Sequence, residues 1–211
     1  MQHLQDALLK WVDELEHYKA PNWDALPDID LYMDQVITYI ERQMTIFSLS
    51  ADEKLITPAM INNYVKNEVI PRPVQKKYTR EHLSHMMAVL NLKQVLSLSD
   101  ITKLLAHETS DKPIQILFDQ FNAIQDEALR KTSVRVREAL EKIDGEPSEE
   151  DIEKRLSLLA LKLSLEANAS RIAAKRILDE IMVQKTKTQE EKDKNKERDR
   201  EKDKNKKSDD K

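Results

Sequence analysis

The residues most able to do chemistry lie in one basic segment, residues 54–93, of an otherwise acidic chain. This segment contains seven basic and two acidic side chains, a net charge of +5, whereas residues 1–53 carry −8. A local excess of positive charge favours contact with an anion at one place. An ordinary solvated face is the alternative interpretation of the same pattern. The basic side chains of the segment are Lys54, Lys66, Arg72, Lys76, Lys77, Arg80 and Lys93.

The same segment contains two histidines with a spacing that could hold a metal ion. His82 and His85 stand three residues apart beside Glu81, which places them on one face of a helix. Two ligands without a third nearby make a weak site, so a structural or phosphate-facing role is favoured. A stretch with the spacing of calcium ligands, formed by Asp28, Asp30 and Asp34, lacks the glycine and the closing glutamate of a calcium loop. We therefore expect no metal and no cofactor, and Asp28 or Asp30 is a candidate cap for the helix that follows.

The residue types needed for most catalytic sites are missing from the chain. It has no cysteine, which removes thiolate nucleophiles and cysteine-based metal sites, and Gly145 is its one glycine. Phosphate-cradling loops need several glycines at fixed offsets because only glycine permits the tight turn and the close backbone approach. There is also no serine in a glycine elbow and no His-Glu zinc signature. We predict no catalytic residues and a protein that is not an enzyme.

Composition predicts an all-α fold. The chain is 35% charged, 39% apolar and 5% aromatic, a balance typical of helix-rich proteins. No apolar run approaches the roughly 18 residues of a membrane span, and the first 18 residues lack the basic start and apolar block of a secretory signal. A cytoplasmic protein without a membrane partner is the expectation.

Apolar spacing and helix-breaking residues divide the chain into four parts. Residues 1–27 are predicted to form a helix and a linker, and residues 28–106 a compact helical domain. In that domain Thr57 and Pro58 start a short helix, which ends before Pro71. The stretch PRPVQKKY, residues 71–78, predicts an extended loop or a tiny hairpin.

Two long helices are predicted after this domain. Residues 107–185 have the spacing of a helical hairpin, broken at Gly145 and Pro147, with Ser148 and Asp151 as a capping box. Residues 186–211 contain no apolar side chain, so this tail is expected to be disordered or a solvated helix. Three further leucines, Leu158, Leu161 and Leu165, widen the last apolar face beyond what one neighbouring helix covers.

Four blocks within residues 28–106 resemble known proteins. The blocks are LYMDQV (31–36), MINNYVKN (60–67), KKYTREHL (76–83) and LKQVLSLSDI (92–101). They are similar to a bacterial family, the domain of unknown function 1836 family. The arrangement also resembles the winged helix-turn-helix of MerR-type transcription regulators. Those regulators commonly have arginine where Asn62 stands and glycine where Glu68 stands.

The resemblance implies an all-α protein with a MerR-like winged helix-turn-helix followed by a long helical hairpin. Residues 31–47 would supply the supporting helix, residues 58–67 the recognition helix and residues 71–78 the wing. The implied function is sequence-specific binding of double-stranded DNA as a transcription regulator, with a homodimer formed through the C-terminal helices. The sequence does not identify an effector. The expected DNA-binding residues are Asn62, Asn63, Lys66, Asn67, Arg72, Lys76, Lys77, Tyr78 and Arg80. The alternative is a helical adaptor whose basic surface and long hairpin bind an acidic or helical protein partner, and the leucine face is the feature that distinguishes it.

Overall fold

The described part of the chain is helical, as its composition predicts. The computed structural model describes residues 2–48, 54–108, 113–141 and 148–209. Within these ranges β pairing is limited to two isolated bridges. The predicted helix break at Gly145 and Pro147 lies outside the described residues. The helices are α1 Gln2–His17, α2 Met33–Gln43, α3 Pro58–Lys66, α4 Arg80–Leu92, α5 Leu98–Glu108, α6 Ile114–Glu141 and α7 Glu149–Asp209, with single 3₁₀ turns at Trp23–Ala25 and Thr45–Phe47.

The main core forms around α4. Most of its side chains are buried on every side of the helix, a pattern typical of a helix at the centre of a domain. Helices α2, α3 and α5 each contribute one buried apolar stripe to this core, and Phe118 contributes a side chain from the start of α6. Burial of each large apolar side chain contributes roughly 1.5–3 kcal/mol, so this core holds the short helices in place. Its fully buried members include Val36, Ile40, Ile61, Leu83, Met86, Val89 and Ile101.

The helix starts follow local capping, with two corrections to the prediction. Thr57 Oγ1 accepts a hydrogen bond from Met60 N at 3.3 Å, and Pro58 takes the first helical position, as predicted. Helix α2 is shorter than residues 31–47, because Leu31 pairs with a distant backbone. Its N-terminal cap is Tyr32, whose N–H donates to Gln35 Oε1 at 2.9 Å, so the assignment of Asp28 or Asp30 as the cap was wrong.

The predicted capping box before α7 is confirmed. Ser148 Oγ accepts from Asp151 N at 3.2 Å, and Ser148 N donates to Asp151 Oδ2 at 3.3 Å. The N-terminal cap of α5 is Ser97, whose Oγ accepts a hydrogen bond from Asp100 N at 3.1 Å.

A second, smaller core joins α1, α6 and the first turns of α7. Val12, Val136 and Leu140 are buried there, and leucines of α1 and α7 pack around them. At its edge Arg137 donates to both Asp13 and Glu16, at 2.6 Å and 2.9 Å. These hydrogen bonds raise the pKa of the arginine, which stays charged in any case.

The chain divides into two compact units, Met1–Asn168 and Ala169–Lys211. Helix α7 continues through the charged tail to Asp209. In the described residues, no helix combines the length and the apolar character needed to cross a membrane. The finer assignments, a winged helix-turn-helix and a helical hairpin, stay predictions.

Candidate nucleic-acid interface

Helix α3 buries one face and exposes the other. Ile61 and Tyr64 are buried in the main core, because residues three apart lie on one side of a helix. The predicted base-contacting residues Asn62, Asn63, Lys66 and Asn67 are all exposed. These four side chains therefore lie on the solvent face of α3 and the turn that follows it.

Two of the exposed asparagines are joined to each other. Asn67 Nδ2 donates to Asn63 Oδ1 at 2.9 Å and to the Asn63 carbonyl at 2.8 Å. The pair is therefore held in one arrangement, with the Asn63 amide hydrogens and the Asn67 Oδ1 left over. A donor and an acceptor presented together match the edge of an adenine in the major groove.

The turn after α3 closes with a Schellman motif. Val69 N donates to the Tyr64 carbonyl at 3.0 Å, and Glu68 N donates to the Val65 carbonyl at 3.1 Å. Glu68 has φ of 57° at the position where this motif prefers glycine. A residue with a Cβ is thus held in the left-handed region at the end of the candidate recognition helix.

A small arm, residues 71–78, follows this turn, as the sequence predicts. Its base is an antiparallel bridge in which Leu31 N donates to the Tyr78 carbonyl at 2.9 Å and Tyr78 N to the Leu31 carbonyl at 2.8 Å. Its tip is a tight turn closed by a hydrogen bond from Lys77 N to the Val74 carbonyl at 2.9 Å. Positive φ at both central residues is the signature of a type I′ turn.

The two central residues of that turn are Gln75 and Lys76, with φ of 50° and 62°. Type I′ turns favour asparagine and glycine there, since other residues are strained by their Cβ. Val74, Gln75 and Lys76 are exposed, and 74% of Val74 is accessible to solvent. The arm therefore projects a lysine at its tip at a cost in backbone strain.

The other cations of the arm differ in their surroundings. Lys77 Nζ lies 5.8 Å from the centre of the Tyr32 ring, a cation–π contact that steadies the lysine at the base of the arm. Arg72 and Lys66 are exposed. Within the described residues, no acidic side chain forms an ion pair with Lys66, Arg72, Lys76 or Lys77. Their charges are available to an anionic partner.

Sequence reasoning missed Tyr32, half of whose surface is exposed beneath Lys77. The two residues are 45 positions apart, so only the pairing of Leu31 with Tyr78 brings them together. Local sequence carries no signal for this contact, because the bridge is formed by residues far apart along the chain.

Two of the predicted DNA-binding residues have structural partners. Tyr78 is only 3% exposed, and its hydroxyl donates to Met33 Sδ at 3.8 Å. Arg80 is partly buried, and its Nε donates to the Pro27 carbonyl at 3.2 Å. Both residues anchor the arm and the start of α4 to the linker and to α2.

His82 connects the arm to α4. Its Nδ1 accepts a hydrogen bond from Thr79 N at 3.0 Å, so it serves as the third-position partner of a capping box. Its ring packs edge-to-face against Tyr78, with ring centres 5.6 Å apart. Its Nε2 is buried close to the Arg72 backbone, without a hydrogen bond of good geometry to any of the described residues.

Burial lowers the pKa of His82, because the charged imidazolium loses its hydration. The Arg72 backbone, Glu81 and Asp30 oppose this shift, and His85 adds to it. His85 uses its own Nδ1 on the Glu81 carbonyl at 2.8 Å. Among the described residues, no group of three or more histidine or acidic side chains is arranged so that it could hold a metal ion.

Comparison with known proteins agrees with the blocks found in the sequence. Residues 21–124 match the family model described as domain of unknown function (DUF1836). Residues 21–124, called the DUF1836 domain after this match, are therefore similar to that family. The match begins in the linker before α2 and ends in the first half of α6, so it is wider than the predicted 28–106. No curated protein and no solved structure matches the chain.

The limits of the DUF1836 domain fit the main core. The match includes α2 to α5 and reaches Phe118, the residue of α6 that completes this core. The exposed face of α3 and the arm both lie inside it. The candidate interface is therefore part of the DUF1836 domain.

Proposed function

We propose that the DUF1836 domain binds double-stranded DNA as the sequence-specific module of a MerR-like transcription regulator. The observation that carries the proposal is Lys76, an exposed cation in a turn position where its backbone is strained. Strained residues persist where function needs their side chains, and a lysine at the tip of a projecting arm serves to reach a phosphate. The three non-glycine residues with positive φ in the described chain are Glu68, Gln75 and Lys76, and all lie in this interface.

Helix α3 is the element that would enter the major groove. Its exposed face is polar and carries one cation, Lys66, while Asn63 and Asn67 present a fixed donor and acceptor. Asparagine pairs with adenine in this groove, and each good base contact contributes about 1–3 kcal/mol of discrimination. The α3 face would therefore read sequence, and the arm would hold the backbone.

The two central positions of the type I′ turn provide a matched pair of variants. Lys76→Gly and Gln75→Gly each relieve a strained Cβ, but only the first removes a charge. We expect both proteins to be as stable as the wild type or up to about 1 kcal/mol more stable. In anisotropy titrations with duplex DNA, only Lys76→Gly should weaken binding, with a salt slope shallower by about 0.9.

The DNA duplex for this test is first selected by its binding to the protein. Fragmented genomic DNA retained by the wild-type chain at two salt concentrations is sequenced, and a retained site and its scrambled version are then titrated. Asn63→Ala should keep the affinity for the scrambled duplex and relax the preference at one base pair. Equal salt slopes for the two glycine variants, or no retention by the wild type at low salt, would contradict the proposal.

We also propose that the regulator is a homodimer through its C-terminal helices. Leu158, Leu161 and Leu165 are 51%, 55% and 61% exposed, on α7. Their spacing of three and four residues matches one seam of a coiled coil. Two-fold symmetric copies would bind two half-sites of one operator.

The same leucines favour a second candidate function, a helical adaptor. An apolar stripe on a helix also fits the groove or seam of another protein. A protein that co-purifies in fixed stoichiometry after nuclease treatment, and that is lost when Leu161 is changed to Glu, would support the adaptor. Recovery of the chain alone would leave the regulator as the better proposal.

A further inference from the structure

Helices α4, α5 and α6 line an apolar cavity of about 310 Å³ that is partly open to solvent, within the first compact unit. Native interiors pack closely and rarely leave space for more than a water molecule between side chains. A cavity of this volume is in the range of small-molecule sites, which are mostly apolar with a few polar groups. Its apolar lining includes Ala88, Leu92, Leu105, Leu117, Phe118 and Phe121.

One wall of the cavity has a defined polar group. Ser84 and His85 line it on the side of α4, and both bond to the Glu81 carbonyl, at 2.8 Å each. A carbonyl only accepts, so the Ser84 hydroxyl proton is used and the proton of neutral His85 resides on Nδ1. His85 Nε2 is then the acceptor that a bound molecule would meet.

We propose that this cavity binds a small apolar compound that carries one hydroxyl group. The apolar body lies between α5 and α6, and its O–H donates to His85 Nε2. Ile124, which is 70% exposed, lies at the rim and marks the way in. This inference is independent of DNA binding, because no residue of the candidate interface lines the cavity.

A natural reporter lies next to the site. The Trp23 ring packs edge-to-face on Phe118, with ring centres 6.4 Å apart. Phe118 lines the cavity, so a bound molecule changes the surroundings of the indole. The chain has two tryptophans, and Trp11→Phe leaves Trp23 as the one source of indole fluorescence.

The test uses decan-1-ol and the ether 1-methoxynonane, which has the same number of heavy atoms but no O–H. With full-length Trp11→Phe protein, we expect saturable changes in Trp23 fluorescence and tighter binding of the alcohol, by about fivefold for one hydrogen bond. His85→Phe should remove that preference while binding of the ether is retained. Equal binding of alcohol and ether to the unmodified site would overturn the proposed class of ligand.

Two further variants distinguish binding in the cavity from nonspecific binding of the probes to the protein surface. Ile124→Lys places a charge at the rim and should weaken binding of both probes at least tenfold. Ala123→Lys adds the same charge at the neighbouring exposed residue, which does not line the cavity, and should have no effect. Both positions are exposed, so neither variant disturbs the core. Equal loss in the two variants, or fluorescence that never saturates, would overturn the site.

Discussion

At the scale of single residues, His82 combines a capping role with a titratable ring. Its Nδ1 accepts from Thr79 N only while that nitrogen is unprotonated, and burial lowers the pKa of the ring. The unfolded chain therefore binds this proton more readily than the folded protein. The stabilisation is complete above the unfolded pKa of about 6.5 and is lost as the pH falls from there towards the lower folded value.

His82→Gln tests this linkage, because glutamine is a usual capping-box partner and does not titrate. Urea unfolding at pH 8 and pH 5.5 should show a smaller loss of stability for this variant than for the wild type. His17→Gln, at an exposed position of α1, is the control and should behave as the wild type does, because His17 is not among the groups that shift the pKa of His82. The same pH dependence in His82→Gln and wild type would show that His82 does not carry it.

At the scale of elements, the turn that ends α3 contains one residue with an unfavourable backbone conformation. Glu68 has a positive φ in the Schellman turn that places the arm after the helix. A residue with a Cβ in the left-handed region costs roughly 1–2 kcal/mol, and a β-branched residue is worse. The MerR-type regulators that this region resembles commonly have glycine there.

The Schellman turn predicts an order of stability for variants of Glu68. Glu68→Gly should raise the free energy of unfolding by up to about 1 kcal/mol, since the strain relieved exceeds the entropy that glycine adds to the unfolded chain. Glu68→Val should lower it by about 1 kcal/mol or more. Urea denaturation monitored by circular dichroism measures both. If valine were as stable as glycine here, the left-handed conformation at residue 68 would be wrong.

The elements also show what local sequence can predict. Apolar spacing and the Thr57-Pro58 pair predicted α3, and proline content predicted the arm. The structural roles of Tyr78 and Arg80 were not predictable, because they depend on contacts with Met33 and Pro27, about 50 residues away along the chain. In the sequence of a basic stretch, a buried side chain cannot be told from an exposed one until such long-range contacts are known.

At the scale of the whole molecule, the first turns of α7 have two apolar stripes. Leu156, Leu159 and Leu163 pack on the second core, whereas the stripe of Leu158, Leu161 and Leu165 faces solvent. An exposed stripe of large apolar side chains favours association, because its burial removes apolar surface from water. The proposed homodimer would bury this stripe against its copy.

The dimer prediction has a matched pair of variants seven residues apart on the same helix. Leu158→Glu with Leu165→Glu places two charges in the stripe, and Ala160→Glu with Ala167→Glu places two charges at exposed alanines outside it. Light scattering should give twice the chain mass of 24.6 kDa for the wild type and the alanine-site variant, and a single chain mass for the leucine-site variant. The leucine-site variant should keep its helix content, since the replaced side chains are exposed. On an operator with two half-sites, the leucine-site variant should bind as two independent monomers. A single chain mass for the wild type would contradict the dimer and would favour another protein as the partner of the leucine stripe.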